Sequence, residues 1–140
     1  MIVKRKFKKL PLTTSRVFLT NDSCNDPIVK LVAKQLLIYI IENPNQTITY
    51  KELTELCDNK VHYRFSLNGV LGEISELCRL NHLPLVSAIV CNKKTKLPGA
   101  GFFGYFFPQL SEKDWKVQFE KCKAEIFSCT EWQDFIEIFE

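Results

Sequence analysis

Gly99, Gly101 and Gly104, in the stretch LPGAGFFGYFF, match the letters G-x-G-x-x-G of a phosphate-cradling loop. Such a loop works because backbone amides and a helix N-terminus face the phosphates, so the glycines must follow a strand and open a helix. Here they follow a polar loop and open an aromatic run, Phe102 to Phe107, with the residue types of a strand. The expected role is a turn, a bulge or a close backbone approach rather than a nucleotide cradle. Nucleophilic catalysis needs a Cys or Ser beside a positioned base. The histidines, His62 and His82, both fall in polar turns, and no carboxylates pair in an apolar setting. The cysteines are Cys24, Cys57, Cys78, Cys91, Cys122 and Cys129; none form C-x-x-C, and neither histidine is near a cysteine pair. No metal site, no cofactor and no enzymatic activity are expected. The thiols read as reduced, mostly buried small hydrophobes.

The basic residues make a different pattern. Lys93, Lys94 and Lys96 sit together in a polar stretch after an apolar run. Lys60, His62 and Arg64 precede an amphipathic segment, and Lys4, Arg5 and Lys6 begin a basic N-terminal patch that runs to Lys9. Several lysines against phosphates give sequence-independent, salt-dependent affinity for nucleic acid. Asn68, Gly72, Ser75 and Arg79 lie along one row of the amphipathic segment, where Asn68 and Arg79 could reach base edges. Glu73 and Glu76 nearby would repel phosphates. Gly69 and Gly72 are poor helix formers, which suggests that something packs closely there. Residues 1–110 carry 15 Lys/Arg against 8 Asp/Glu, and residues 111–140 carry 4 against 8, so a basic body ends in an acidic tail. That asymmetry fits an anionic partner on one face.

These residues need elements to position them. Asp26 and Pro27 form a helix start, and the apolar run after them ends at Asn43-Pro44. Gln46 to Ile48 can pair as a short strand. Thr49 and Glu52 form a capping box for a short helix to Cys57. Ser66 is the expected cap of the next helix, whose stripe is Leu67, Val70, Leu71, Ile74, Leu77 and Cys78. Leu85 to Asn92 reads as a buried strand, Lys93 to Lys96 as an exposed loop, and Phe102 to Phe107 as a returning strand. Val17 to Leu19 could add a short strand. Two further helices carry Trp115, Phe119, Cys122 and Ile126, then Trp132, Phe135, Ile136 and Phe139.

Helix, short strand, helix, turn, helix, strand, loop, strand is the order of a winged helix. The expected fold is α+β: one domain over 1–140, with an N-terminal basic arm (1–25), a winged-helix-like core (26–107) and two added C-terminal helices (108–140). A chain of 140 residues suits one core. No apolar run is long enough to span a bilayer, and no apolar stretch follows the basic N-terminus, so no membrane partner and a cytoplasmic location are expected.

QTITYKELTEL and LNGVLGEISELCRLNHLPLVSAIVCNKKTKLPGAGFF together resemble the C-terminal DNA-binding domain of O6-alkylguanine-DNA alkyltransferases and alkyltransferase-like proteins, over roughly residues 46–105. The resemblance implies a winged-helix fold and duplex DNA as partner. It places Tyr50 on the tyrosine that crowds the phosphate of the flipped nucleotide, and Pro84 on the proline of Pro-Cys-His-Arg. Leu85, Val86, Ser87 and Ala88 follow instead of the nucleophile, its histidine and the arginine, so alkyl transfer is not implied. Arg64 is out of register with the arginine that fills the base stack. The stretch from Ser87 to Phe102, S-A-I-V-x-N-K-x-T-x-x-P-G-x-G-F, also looks like one found in small bacterial and phage proteins, some linked to restriction and other defence systems. The expectation is a non-catalytic nucleic-acid-binding module acting on duplex DNA through backbone contacts. The alternative is a phage or mobile-element inhibitor that binds a host defence protein such as a CRISPR or restriction nuclease.

Overall fold

The computed structural model describes residues 16–62 and 66–140. Lys4, Arg5, Lys6 and Arg64 therefore lie outside the described residues.

Helix α1 (Pro27–Glu42) starts where the side chain of Asp26 accepts from the backbone N–H groups of Ile28 (2.8 Å) and Val29 (3.4 Å), with Pro27 in the first turn. Its buried face, Val29, Val32, Ala33, Leu36, Leu37 and Ile40, makes it the central helix. Strand β1 (Ile48–Thr49) leads directly into α2 (Tyr50–Leu56). The capping box forms in both directions: Thr49 Oγ1 accepts from Glu52 N–H, and Glu52 Oε1 accepts from Thr49 N–H, each at 3.0 Å. Asp58 and Asn59 then take left-handed backbone conformations, which short polar side chains tolerate best. Helix α3 (Leu67–Leu80) buries Leu67, Leu71, Ile74, Leu77 and Cys78 against α1. Ser66 does not cap it through its side chain; its backbone is already helical and its N–H bonds the His62 carbonyl.

Two expected strands take other forms. In the segment 85–92, Val86 to Ile89 form a 3₁₀ turn, and only β2 (Val90–Cys91) is extended. The cause is local. Ser87 donates its backbone N–H to Ser75 Oγ on α3 at 3.2 Å instead of to a sheet neighbour. Strand β2 pairs parallel with β1, Ile48 opposite Val90 and Thr49 opposite Cys91. The run expected as a returning strand is helix α4 (Ala100–Phe106). Phe102, Phe103, Phe106 and Phe107 recur at helical spacing, so a helix gathers them where a strand would split them between two faces. Phe103 is buried and stacks on Trp115, with centroids 4.5 Å apart and planes 6° apart. The hairpin of a winged helix is thus absent among the described residues. The coarser class holds: a mostly helical chain with a small two-stranded sheet.

Helices α5 (Trp115–Ser128) and α6 (Trp132–Phe135) close the core, as the two C-terminal stripes predict. Trp132 donates its indole N–H to the Ile126 carbonyl at 2.8 Å, joining one to the other. Part of the expected arm belongs to this core. Phe18 is buried edge-on to Phe135 at 5.3 Å, a contact worth about 1.5–3 kcal/mol in burial alone. Val17 to Leu19 form no strand, because Leu19 spends its N–H and carbonyl on the side chain of Asn81 (2.7 and 3.0 Å). No described helix is long and apolar enough to cross a membrane.

Candidate nucleic-acid interface

The loop between β2 and α4, residues 92–99, carries Lys93, Lys94 and Lys96, all exposed. Its shape comes from its own polar groups. Asn92 N–H donates to the Leu97 carbonyl, and Lys96 N–H to the Asn92 carbonyl, both at 2.8 Å. The Asn92 side chain accepts from Lys94 N–H at 2.9 Å, and Thr95 Oγ1 accepts from Leu97 N–H at 3.2 Å. Half-buried Leu97 packs on the cluster of Cys91, Phe103 and Phe119. At the loop's end, Gly99 donates its N–H to the Tyr50 hydroxyl at 2.8 Å. A Cβ on Gly99 would stand 3.3 Å from that oxygen, so this glycine allows the close approach. Among the described residues none of the three lysines has an ion-pair partner.

A groove of about 880 Å³ brings Lys93 and Lys94 together with Tyr50, Lys51 and Asn68, and with Glu52 and Glu55 on the α2 side. Four expected residues therefore meet: Lys93, Lys94, Tyr50 and Asn68. Lys51 joins them; its signal was its place beside Tyr50 in the first turn of a capped helix. Lys96 stays on the loop outside the groove lining, and exposed Lys60 lies apart on the turn after α2. Tyr50 also has a role within the chain. Its hydroxyl braces the loop, and burial raises its pKa above the ordinary phenol value.

Arg79 is committed within the chain. Its guanidinium pairs with the Glu76 carboxylate at 2.6 Å and lies over the rings of Tyr105 (5.6 Å) and Phe106 (5.3 Å). The Tyr105 hydroxyl and Arg79 together hold the Glu76 carboxyl below its usual range. The expected base-reading row is also not one exposed face. Ser75 is fully buried, with its hydroxyl 2.6 Å from that of Ser87.

A second groove, about 610 Å³, runs between α3 and α4 on the other side of Tyr50. Gly69, Gly72 and Gly101 line it, and a Cβ on any of them would meet nothing within 4 Å. Among the described residues no strand covers Gly69 and Gly72. Each sits in a helix at about 0.5–1 kcal/mol less favourable than alanine. Phe102, Tyr105 and Phe106 form the aromatic wall, Glu73 and Glu76 are the charged lining residues, and Ser87 lies at the buried end. Reading 102–107 as a strand hid this wall, because only a helix turns Phe102, Tyr105 and Phe106 towards α3.

All six cysteines are free, and burial raises the thiols of Cys57 (to about 11), Cys78 and Cys91 (to about 12), Cys122 and Cys129, which makes these five poor nucleophiles. The G-x-G-x-x-G letters do open a helix, unlike the expected strand, but the Gly99 amide that would begin a cradle is spent on Tyr50. Compared with known proteins, the chain matches no family model, no curated protein and no solved structure.

Proposed function

We propose that this chain is a non-catalytic nucleic-acid-binding module that holds duplex DNA by its phosphates. The observation that carries the reading is the loop of residues 92–99. Its backbone is fixed by internal hydrogen bonds and by Tyr50, and its three ammonium groups are exposed and, among the described residues, unpaired. A braced loop loses little conformational entropy when it binds, so its charge is available for phosphate contact. Lys51 and Asn68 extend the surface along the adjoining groove. In this proposal α1, α2 and α3 take the places of winged-helix helices, and the braced loop stands where the wing hairpin would be. The raised thiol pKa values of buried Cys57, Cys78 and Cys91, and hydrogen-bond partners of Ser87 that include no base, support a binding role rather than catalysis.

The test is fluorescence anisotropy of a labelled duplex and a labelled single strand, titrated with the full chain at low and near-physiological salt. Saturable duplex binding that weakens steeply with salt is expected, and the slope counts the phosphate contacts at about 0.9 each. Lys93→Glu with Lys94→Glu should weaken binding and flatten that slope. No binding at low salt, or an affinity unmoved by the double substitution, overturns the reading.

A further inference from the structure

We propose that the groove between α3 and α4 docks a basic segment of a protein partner, holding one Lys or Arg side chain between Glu73 and the aromatic wall. This goes beyond the phosphate-binding role of the lysine loop and does not depend on it.

Charge selects the occupant. Glu73 and Glu76 are the charged lining residues, both acidic, so a phosphate is disfavoured and a cation favoured. Glu76 is already paired with Arg79. Glu73 accepts one hydrogen bond, from Ser23 Oγ at 2.8 Å, and is exposed at the groove rim. Its carboxylate has lone pairs left for an ammonium or guanidinium group.

The wall shows how such a group would sit. Arg79 already lies over Tyr105 and Phe106 while it pairs with Glu76, which is the same chemistry made within the chain. Half-buried Phe102 can cover the methylene stem of an incoming side chain. The open backbone at Gly69, Gly72 and Gly101 leaves room for that stem to approach.

The buried end supplies a second, independent indication. Ser87 is 6% exposed and lines the groove, while Ser75 is fully buried. Ser75 Oγ accepts the Ser87 backbone N–H, and the two hydroxyls are 2.6 Å apart. Only one proton can lie between them. If Ser87 supplied it, the Ser75 proton would be buried with no acceptor. The satisfied arrangement has Ser75 donating to Ser87, which leaves the Ser87 hydroxyl proton for an acceptor in the groove. A peptide carbonyl beside the cationic side chain is such an acceptor.

The experiment is an NMR titration of the ¹⁵N-labelled full chain with acetyl-glycyl-arginine amide. The lysine analogue and the uncharged citrulline analogue serve as comparisons. Saturable shifts are expected at the amides of Gly69, Gly72, Gly101 and Tyr105. Arginine and lysine should bind at least about tenfold more tightly than citrulline, because a charge-assisted bond is lost in the latter. Gly72→Leu should abolish the shifts by filling open space. Glu73→Gln, which keeps the shape of the side chain, should bring arginine down to the level of citrulline. Lys93→Glu with Lys94→Glu should leave the peptide shifts unchanged whether or not the chain binds DNA. Absence of saturable shifts, equal binding of citrulline, indifference to both groove substitutions, or displacement of the peptide by duplex DNA overturns the proposal.

Discussion

In the loop of residues 92–99, backbone polar groups are spent on one another and on Tyr50, and what remains exposed is positive charge with no ion-pair partner among the described residues. In the groove between α3 and α4 the reverse holds. Glu76, Arg79 and Tyr105 satisfy one another, and what remains is open backbone surface beside aromatic rings and the Glu73 carboxylate. Tyr50 and Asn68 line both. The two surfaces share these two residues, yet the two proposals give them opposite partners. A fixed cationic loop favours anions at long range and falls off with salt, whereas a groove with an acidic rim rejects anions and works only by close contact.

The largest effects should come from exchanging the two surfaces' defects. Lys93→Glu with Lys94→Glu removes two candidate phosphate contacts and adds two repulsive charges. Duplex affinity at low salt should fall by at least about tenfold, and the salt slope should drop by about 1.8. Gly72→Leu should leave that duplex affinity and slope unchanged. If Gly72→Leu weakens DNA binding as much as the charge reversal does, the two grooves form one surface and the contrast fails.

A smaller effect, on stability, tests what shapes the groove. Asn21 and Ser23 form part of its lining, and the segment leading to them is held by Asn81. Buried Asn81 bonds Leu19 N–H, the Leu19 carbonyl and the Leu77 carbonyl (2.7, 3.0 and 2.9 Å). Asn81→Ala removes all three bonds and takes from the part-buried Leu19 N–H and carbonyl the side chain that pairs them. We expect a loss of about 2–4 kcal/mol in urea denaturation. Hydrogen exchange in this variant should rise around residues 19–24 before it rises at Lys94 and Lys96. Equal acceleration in both places would mean that one packing network holds loop and groove alike.

Tyr50→Phe separates them from the other side. The substitution keeps the ring and removes only the acceptor for Gly99 N–H. We expect a loss of about 0.5–1.5 kcal/mol, with faster exchange of the Gly99 amide and weaker duplex binding. If DNA affinity is unchanged, bracing of the loop does not matter to its charge.

Much of the frame was legible before the coordinates. The Asp26-Pro27 start, the Thr49/Glu52 box, the apolar run of α1 and the stripe of α3 rest on local chemistry, and all appear as read. The errors share a cause. Leu85 to Asn92 has strand composition, but Ser75 lies 12 residues away in sequence and captures the Ser87 amide, so the turn is a tertiary effect. In α4 two signals compete: aromatic β-propensity favours a strand, and the spacing of Phe102, Phe103, Phe106 and Phe107 favours the helix that forms. For the site, exposed lysines could be read from polarity alone, and three of them are exposed on the loop. Arg79 could not be read that way. Whether an arginine is free depends on what the fold sets beside it, here Tyr105 and Phe106 of α4, whose composition is that of a strand.

The smallest effects come from one methyl group placed on either side of Tyr50. At Gly72 an added Cβ meets nothing within 4 Å, and no glycine in the chain has a positive φ. Helix propensity then decides the sign, and Gly72→Ala should stabilise the free protein by about 0.5–1 kcal/mol. At Gly99 the same methyl stands 3.3 Å from the Tyr50 oxygen and displaces it from the amide it accepts. Gly99 also holds the N-cap position of α4, where alanine is the poorer residue. Gly99→Ala should therefore destabilise by about 0.5–1 kcal/mol. The opposite signs are the informative result, since composition and local sequence treat the two glycines alike. Thermal denaturation of the two variants side by side measures them. A loss at Gly72 would mean that the space over α3 is already closed by the chain itself, and the groove would then have no room for a partner.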